Sequence, residues 1–154
     1  MRLEGHVGIG MIIAGVVFLF YPGNIYDKML WIWFAAFIGM ISWPDLDLRF
    51  ELSHRGFTHT LAGALVFGIV GGFLFGLSNN EYFLSGFIGG FSGTIAHMFG
   101  DILTYQKFRP LWPLSNNNIA LGLFRSNDKS INLLFGRIGI VVFISVLVYR
   151  TLIR

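Results

Sequence analysis

Long apolar runs broken by short polar clusters organise the 154-residue chain. A run of about 20 apolar residues crosses a bilayer core, with a working range of roughly 17 to 25. On that measure the pattern predicts helices at 5–21, 27–43, 59–77, 82–103 and 133–153. Turn signals separate them: Tyr21-Pro22-Gly23-Asn24 follows the first, Pro44 closes the second, and Ser78-Asn79-Asn80 closes the third. Residues 105–132 lose the apolar run and mix Leu111, Trp112, Leu123 and Phe124 with Lys107, Arg109, Arg125 and Lys129. That mixture reads as an interfacial segment suited to an anionic headgroup layer, either a plain connector or a lid. The expected fold is therefore all-α. It is an integral membrane bundle of about five transmembrane helices forming one domain over residues 1–154.

Composition agrees with lipid as the solvent. The chain is 55% hydrophobic and 12% charged, with a mean hydropathy of +0.68, whereas soluble domains carry about 25% charged residues. With no cysteine, disulfides and thiolate metal sites are excluded. The N-terminal run has only Arg2 before it and is interrupted by Glu4 and His6, so it is expected to be a retained helix rather than a signal peptide. A net charge of +3 with no basic stripe argues against nucleic acid as a partner.

Alternating crossings assign each polar group to a membrane face. The start of helix 1, the end of helix 2, the start of helix 3 and the end of helix 4 share one face. His6, Asp45 and Asp47, His54 and His59, and His97 with Asp101 sit at those ends. All 4 histidines thus converge on one side. The basic residues Arg2, Arg49, Arg55, Lys107, Arg109, Arg125, Lys129 and Arg137 lie there too, against Lys28, Arg150 and Arg154 opposite. By the positive-inside rule this face, with the N-terminus and the site, is cytoplasmic and the C-terminus is outside.

Within helix 4, His97 and Asp101 are four residues apart and share a helix face. The same stripe continues back through Gly93 and Gly89, small residues that admit a second helix closely. A His–Asp pair that only pins two helices is the plain alternative, but ionisable groups inside membranes are costly and point to function. Asp45 and Asp47 would repel each other at a water–lipid boundary unless a cation lay between them, although a solvated acidic turn reads equally well. Histidine and carboxylate ligands without cysteine suit zinc, manganese or iron. The number of candidates allows one to three ions. Arg55 has the planar fork to hold a phosphate oxygen.

The elements His6, Pro44-Asp45-Leu46-Asp47, His54-Arg55-Gly56-Phe57-Thr58-His59, and His97 to Asp101 followed by Thr104 resemble the YdjM family of membrane-bound proteins regarded as metal-dependent hydrolases. Two departures stand out: Leu48 replaces a histidine found in many members, and Tyr105 replaces a common glycine. In order of motifs the chain is more distantly similar to the zinc phospholipase C and P1-type nuclease group, which implies phosphoester hydrolysis. On these resemblances His6, Asp45, Asp47, His59, His97 and Asp101 are expected as metal ligands. Asp45, His54, Arg55 and Thr58 are the expected catalytic groups, with Asp45 the favoured base or bridging ligand. The expected function is a metal-dependent hydrolase acting on a phosphoester of a lipid or lipid-linked substrate, in a prokaryotic-type cell membrane. A non-catalytic protein that transports or senses a divalent ion, and a scaffold for a cytoplasmic partner, are the competing readings.

Overall fold

The computed structural model describes residues 1–48 and 56–153, with the side chains of residues 46–48 also outside the description. Five α-helices follow in order: α1 (Leu3–Phe20), α2 (Lys28–Met40), α3 (Leu61–Gly76), α4 (Phe83–Ile102) and α5 (Lys129–Leu152). Short 3-10 turns at Trp43–Leu48, Phe57–His59 and Asn80–Tyr82 join them, and no strand occurs among the described residues.

Local chemistry sets the helix ends. Asp27 caps α2 by accepting the Met29 N–H at 2.9 Å, and it also accepts the Tyr21 hydroxyl. The expected continuation of α2 to residue 43 does not occur. Pro44 lacks an N–H, and its ring meets the carbonyl four residues back, which is that of Met40, the last residue of α2. The chain instead tightens into the Trp43–Leu48 turn, which carries Asp45. Thr60 caps α3 through Gly63 N–H at 3.0 Å, so α3 begins at Leu61 rather than at residue 59. Helix α5 starts four residues earlier than the apolar run predicts, at Lys129, because Asp128 accepts the Ile131 N–H at 3.1 Å.

Helix α1 packs along α5, while α4 lies between α2 and α3 and also touches α1. Glycine makes these approaches possible. A Cβ on Gly8 would strike the Phe135 carbonyl, and one on Gly139 would strike the Gly8 carbonyl, at the α1–α5 crossing. Gly89 and Gly93 of α4 meet the α2 backbone at Trp33 and Phe37 in the same way. In lipid, where apolar burial provides little drive between helices, such close backbone contact supplies the attraction. Phe18, Leu30, Phe37, Ile41, Ala96 and Phe143 form the apolar cluster that ties the two helix groups together.

Two helices, α1 with 18 residues and α5 with 24, are long and apolar enough to cross a membrane by themselves. The 16-residue α3 is apolar but shorter, and the 13 residues of α2 reach only about 20 Å at 1.5 Å per residue. The 105–132 region is not a loose connector. Tyr105 N–H bonds the Phe124 carbonyl at 3.2 Å, Phe108 and Ile119 exchange bonds at 3.3 and 2.9 Å, and Leu61 N–H bonds the Pro110 carbonyl at 2.8 Å. These bonds fold it as a strap against the end of α4 and the start of α3.

Candidate metal centre

Five of the residues expected as ligands meet at one end of the bundle. His6 comes from the first turn of α1, Asp45 from the 3-10 turn after α2, and His59 from the turn before α3. His97 and Asp101 come from the last turns of α4. The ends of four separate segments therefore meet at one end of the bundle. The Gly89–Gly93 stripe seats α4 on α2, and the same stripe, continued, delivers His97 and Asp101 into the gap.

Neighbouring donor atoms lie at distances that would let them share a small cation. Tetrahedral zinc with bonds of about 2.0–2.1 Å separates its ligand atoms by about 3.4 Å. His97 Nε2 lies 3.5 Å from Asp45 Oδ1 and 3.7 Å from Asp101 Oδ2. His59 Nε2 lies 3.6 Å from Asp45 Oδ1 and 3.4 Å from Asp101 Oδ2. His6 Nε2 is 3.6 Å from Asp101 Oδ1 and 3.9 Å from Asp45 Oδ2. Two overlapping triads, His6–Asp45–His97 and His59–His97–Asp101, each bring three ligand atoms within 4.8 Å of one another.

Surrounding groups orient the rings. His97 Nδ1 lies 2.7 Å from the Ile41 carbonyl. A carbonyl only accepts, so this nitrogen carries a proton, and Nε2 is the ring atom turned toward the cluster. His59 Nε2 faces His97 Nε2 at 3.1 Å, and Thr58 Oγ1 holds His59 Nδ1 at 3.0 Å. The His6 ring stacks on His97 at 3.7 Å. Although fully buried, His6 has no hydrogen-bond partner on either ring nitrogen among the described residues. Gly100 makes room for it, since a Cβ there would sit 3.0 Å from His6 Nδ1. A buried imidazole left unsatisfied is costly, and ligation of an ion through Nε2 would satisfy that nitrogen.

The charge states fit the same use. Burial pushes the Asp45 carboxyl up, but hydrogen bonds from His59 and His97 outweigh it and hold Asp45 well below the ordinary carboxylate range. Burial pulls the His59 imidazole down, and the hydrogen-bonded carboxylates of Asp101 and Asp45 more than offset this, raising it above 6.5. His6, His59 and His97 are completely buried, whereas the Asp45 side chain is 25% exposed and gives the cluster its opening.

Of the other expected residues, His54, Arg55 and the Asp47 side chain lie outside the described residues. Reading by motif passes over Asn132, which is buried. Its Oδ1 accepts Arg2 N–H at 2.9 Å, and its Nδ2 donates to the Ser126 and Asp128 carbonyls at 3.1 and 2.6 Å. It clasps the start of α1, just before His6, to the start of α5. A lone amide opening an apolar helix was the signal available in the sequence.

These features define a helical membrane protein whose buried histidine–carboxylate cluster has the donor set to hold a metal ion. The chain belongs to the YdjM inner membrane protein family, whose sequence model matches residues 1–153. No curated protein and no solved structure matches the chain.

Proposed function

We propose that the protein is a membrane-embedded, metal-dependent hydrolase with one divalent ion, zinc in the first instance and manganese or iron as alternatives. Its substrate class would be a phosphoester on a lipid or a lipid-linked molecule. The observation that carries this reading is the pair of overlapping triads in which neighbouring imidazole Nε2 and carboxylate oxygens lie 3.1–3.9 Å apart, with Asp45 the partly exposed ligand among the described residues. All five helices cross the bilayer in this reading, with the cluster on the cytoplasmic face.

His6, His59, His97 and Asp101 would hold the ion from three helix ends. A bound divalent ion supplies a water of lowered pKa and positive charge for a phosphoryl oxygen. Asp45 sits at the opening, within reach of a water at the site to which it would serve as proton acceptor. His97 keeps its orientation through the Ile41 carbonyl, and Thr58 steadies His59. Arg55 carries the expectation, from sequence, of a hand for the phosphate. Placement of the ligands at helix ends, away from the midplane sites of transporters, favours hydrolysis over transport. The burial of the three histidines and a donor set of five side chains favour a second reading, a sensor that holds its ion without water.

Metal analysis of the purified wild type beside His59→Ala and Asp101→Ala tests the site. We expect about one ion per chain in the wild type and a clear loss in both variants. A metal-free wild type would remove both readings. Assays on phospholipids and generic phosphodiesters then separate them: hydrolysis lost in Asp45→Asn supports the enzyme, and no turnover by a metal-loaded protein leaves the sensor.

A further inference from the structure

We propose that the strap between α4 and α5 is a docking surface for the headgroups of anionic phospholipids. The strap has an inner and an outer side. Inward, Phe108 and Phe124 are buried, Phe108 against Ala64 and Met98 and Phe124 against Met1 and Ile9. Thr104 donates its hydroxyl to the Asp101 carbonyl at 2.9 Å. Outward, the turn formed by residues 110–114 exposes Leu111, Trp112 and Leu114, the last at 91%.

Basic groups flank this apolar turn. Lys107, Arg109, Arg125 and Lys129 are all exposed on the strap and its junction with α5. The one carboxylate among residues 104–129 is Asp128, which is engaged in capping α5. Exposed leucine and tryptophan beside lysine and arginine that have no carboxylate partner among the described residues match a layer that is apolar below and negative above. Neutral phosphatidylcholine would satisfy the apolar turn but not the charges, so the surface fits anionic headgroups. The strap's backbone bonds hold it folded against the bundle, so docking needs no new ordering of the segment. This inference rests on charge, exposure and membership of a membrane protein family, and it stands apart from the hydrolase reading.

The test uses the absence of cysteine in the chain. A fluorophore on Leu114→Cys is read in the full-length protein, one copy per nanodisc, against nitroxide-labelled phosphatidylglycerol or phosphatidylcholine at equal mole fraction. We expect phosphatidylglycerol to quench with an apparent preference of about fivefold or more, the factor one basic residue supplies near an anionic surface. The preference should collapse in a Lys107→Gln/Arg109→Gln/Arg125→Gln variant that retains wild-type helicity and metal content. Equal quenching by the two lipids would overturn the proposal, as would a label reached by aqueous iodide and by neither lipid. Protection seen only when two chains share a disc would assign the surface to a second copy and overturn it as well. None of these readouts uses catalysis, so they remain informative if the protein hydrolyses nothing.

Discussion

Gly93→Ala is expected to weaken metal binding although residue 93 is one full helical turn from the nearest ligand. The added Cβ would lie 3.1 and 3.2 Å from the Phe37 carbonyl carbon and Cα, and closer still to the Phe37 oxygen. That oxygen belongs to the α2 backbone and cannot rotate away, so α2 must withdraw by about 1 Å to restore van der Waals contact. Four residues further on, the Ile41 carbonyl holds His97 Nδ1 at 2.7 Å. A withdrawal of that size carries the bond past the roughly 3.2 Å limit of a good N–H···O contact. Overpacking of this kind costs about 1–3 kcal/mol, and losing the partner that orients a metal-bound histidine costs about 10–100-fold in affinity. Gly39→Ala is the matched control, on α2 itself, because nothing lies within 4 Å of a Cβ there. Chelator competition and thermal unfolding of the two variants in the same detergent give both numbers. Wild-type metal affinity in Gly93→Ala, or an equal loss in Gly39→Ala, would refute the link from helix spacing to His97.

Three further outcomes are expected. Below the raised pKa of His59 an incoming ion must displace a proton, so metal affinity should fall as pH drops through a value above 6.5; a flat affinity profile would contradict this. In the metal-free protein the protonated His59 instead adds stability that is full below its unfolded value and is lost as pH rises through the raised one, which a pH series of melting curves reads. Asn132→Ala leaves the Arg2 N–H and the Ser126 carbonyl without their side-chain partner, which should cost about 1–3 kcal/mol and reduce metal retention by loosening the start of α1; unchanged melting and metal content would exclude that clasp. Reporters fused at Asn79 and Asn117 should give opposite topology signals, and matching signals would break the five-crossing arrangement.

Much of the site was legible because the bilayer restricts how a chain returns. If each apolar run crosses, as the sequence leads one to expect, His6, Asp45, His59 and the His97–Asp101 pair fall at one end, and four-residue spacing sets His97 and Asp101 on the Gly89–Gly93 face. The chemical type of the cluster was legible as well, since a chain without cysteine can offer only nitrogen and oxygen donors. Helix limits were less so, because caps act through single hydrogen bonds that apolar periodicity does not register. Asp128 thus began α5 at Lys129, and Pro44 stopped α2 at Met40.

The tertiary structure alone decided the distances on which any chemistry depends. Nothing in the spacing of His6, His59 and His97 requires their Nε2 atoms to face one volume, or the Ile41 carbonyl to select the His97 tautomer. Nor does the pattern reveal that Asn132 fastens α1 to α5, or that Phe108 and Phe124 turn inward while Leu111, Trp112 and Leu114 turn out. These arrangements follow from how closely helices approach, and that closeness was set by which glycines met a backbone across the interface. Hydrophobic pattern specifies which residues enter lipid and at which end each polar group emerges. Packing then determines which of those polar groups lie close enough to share one ion.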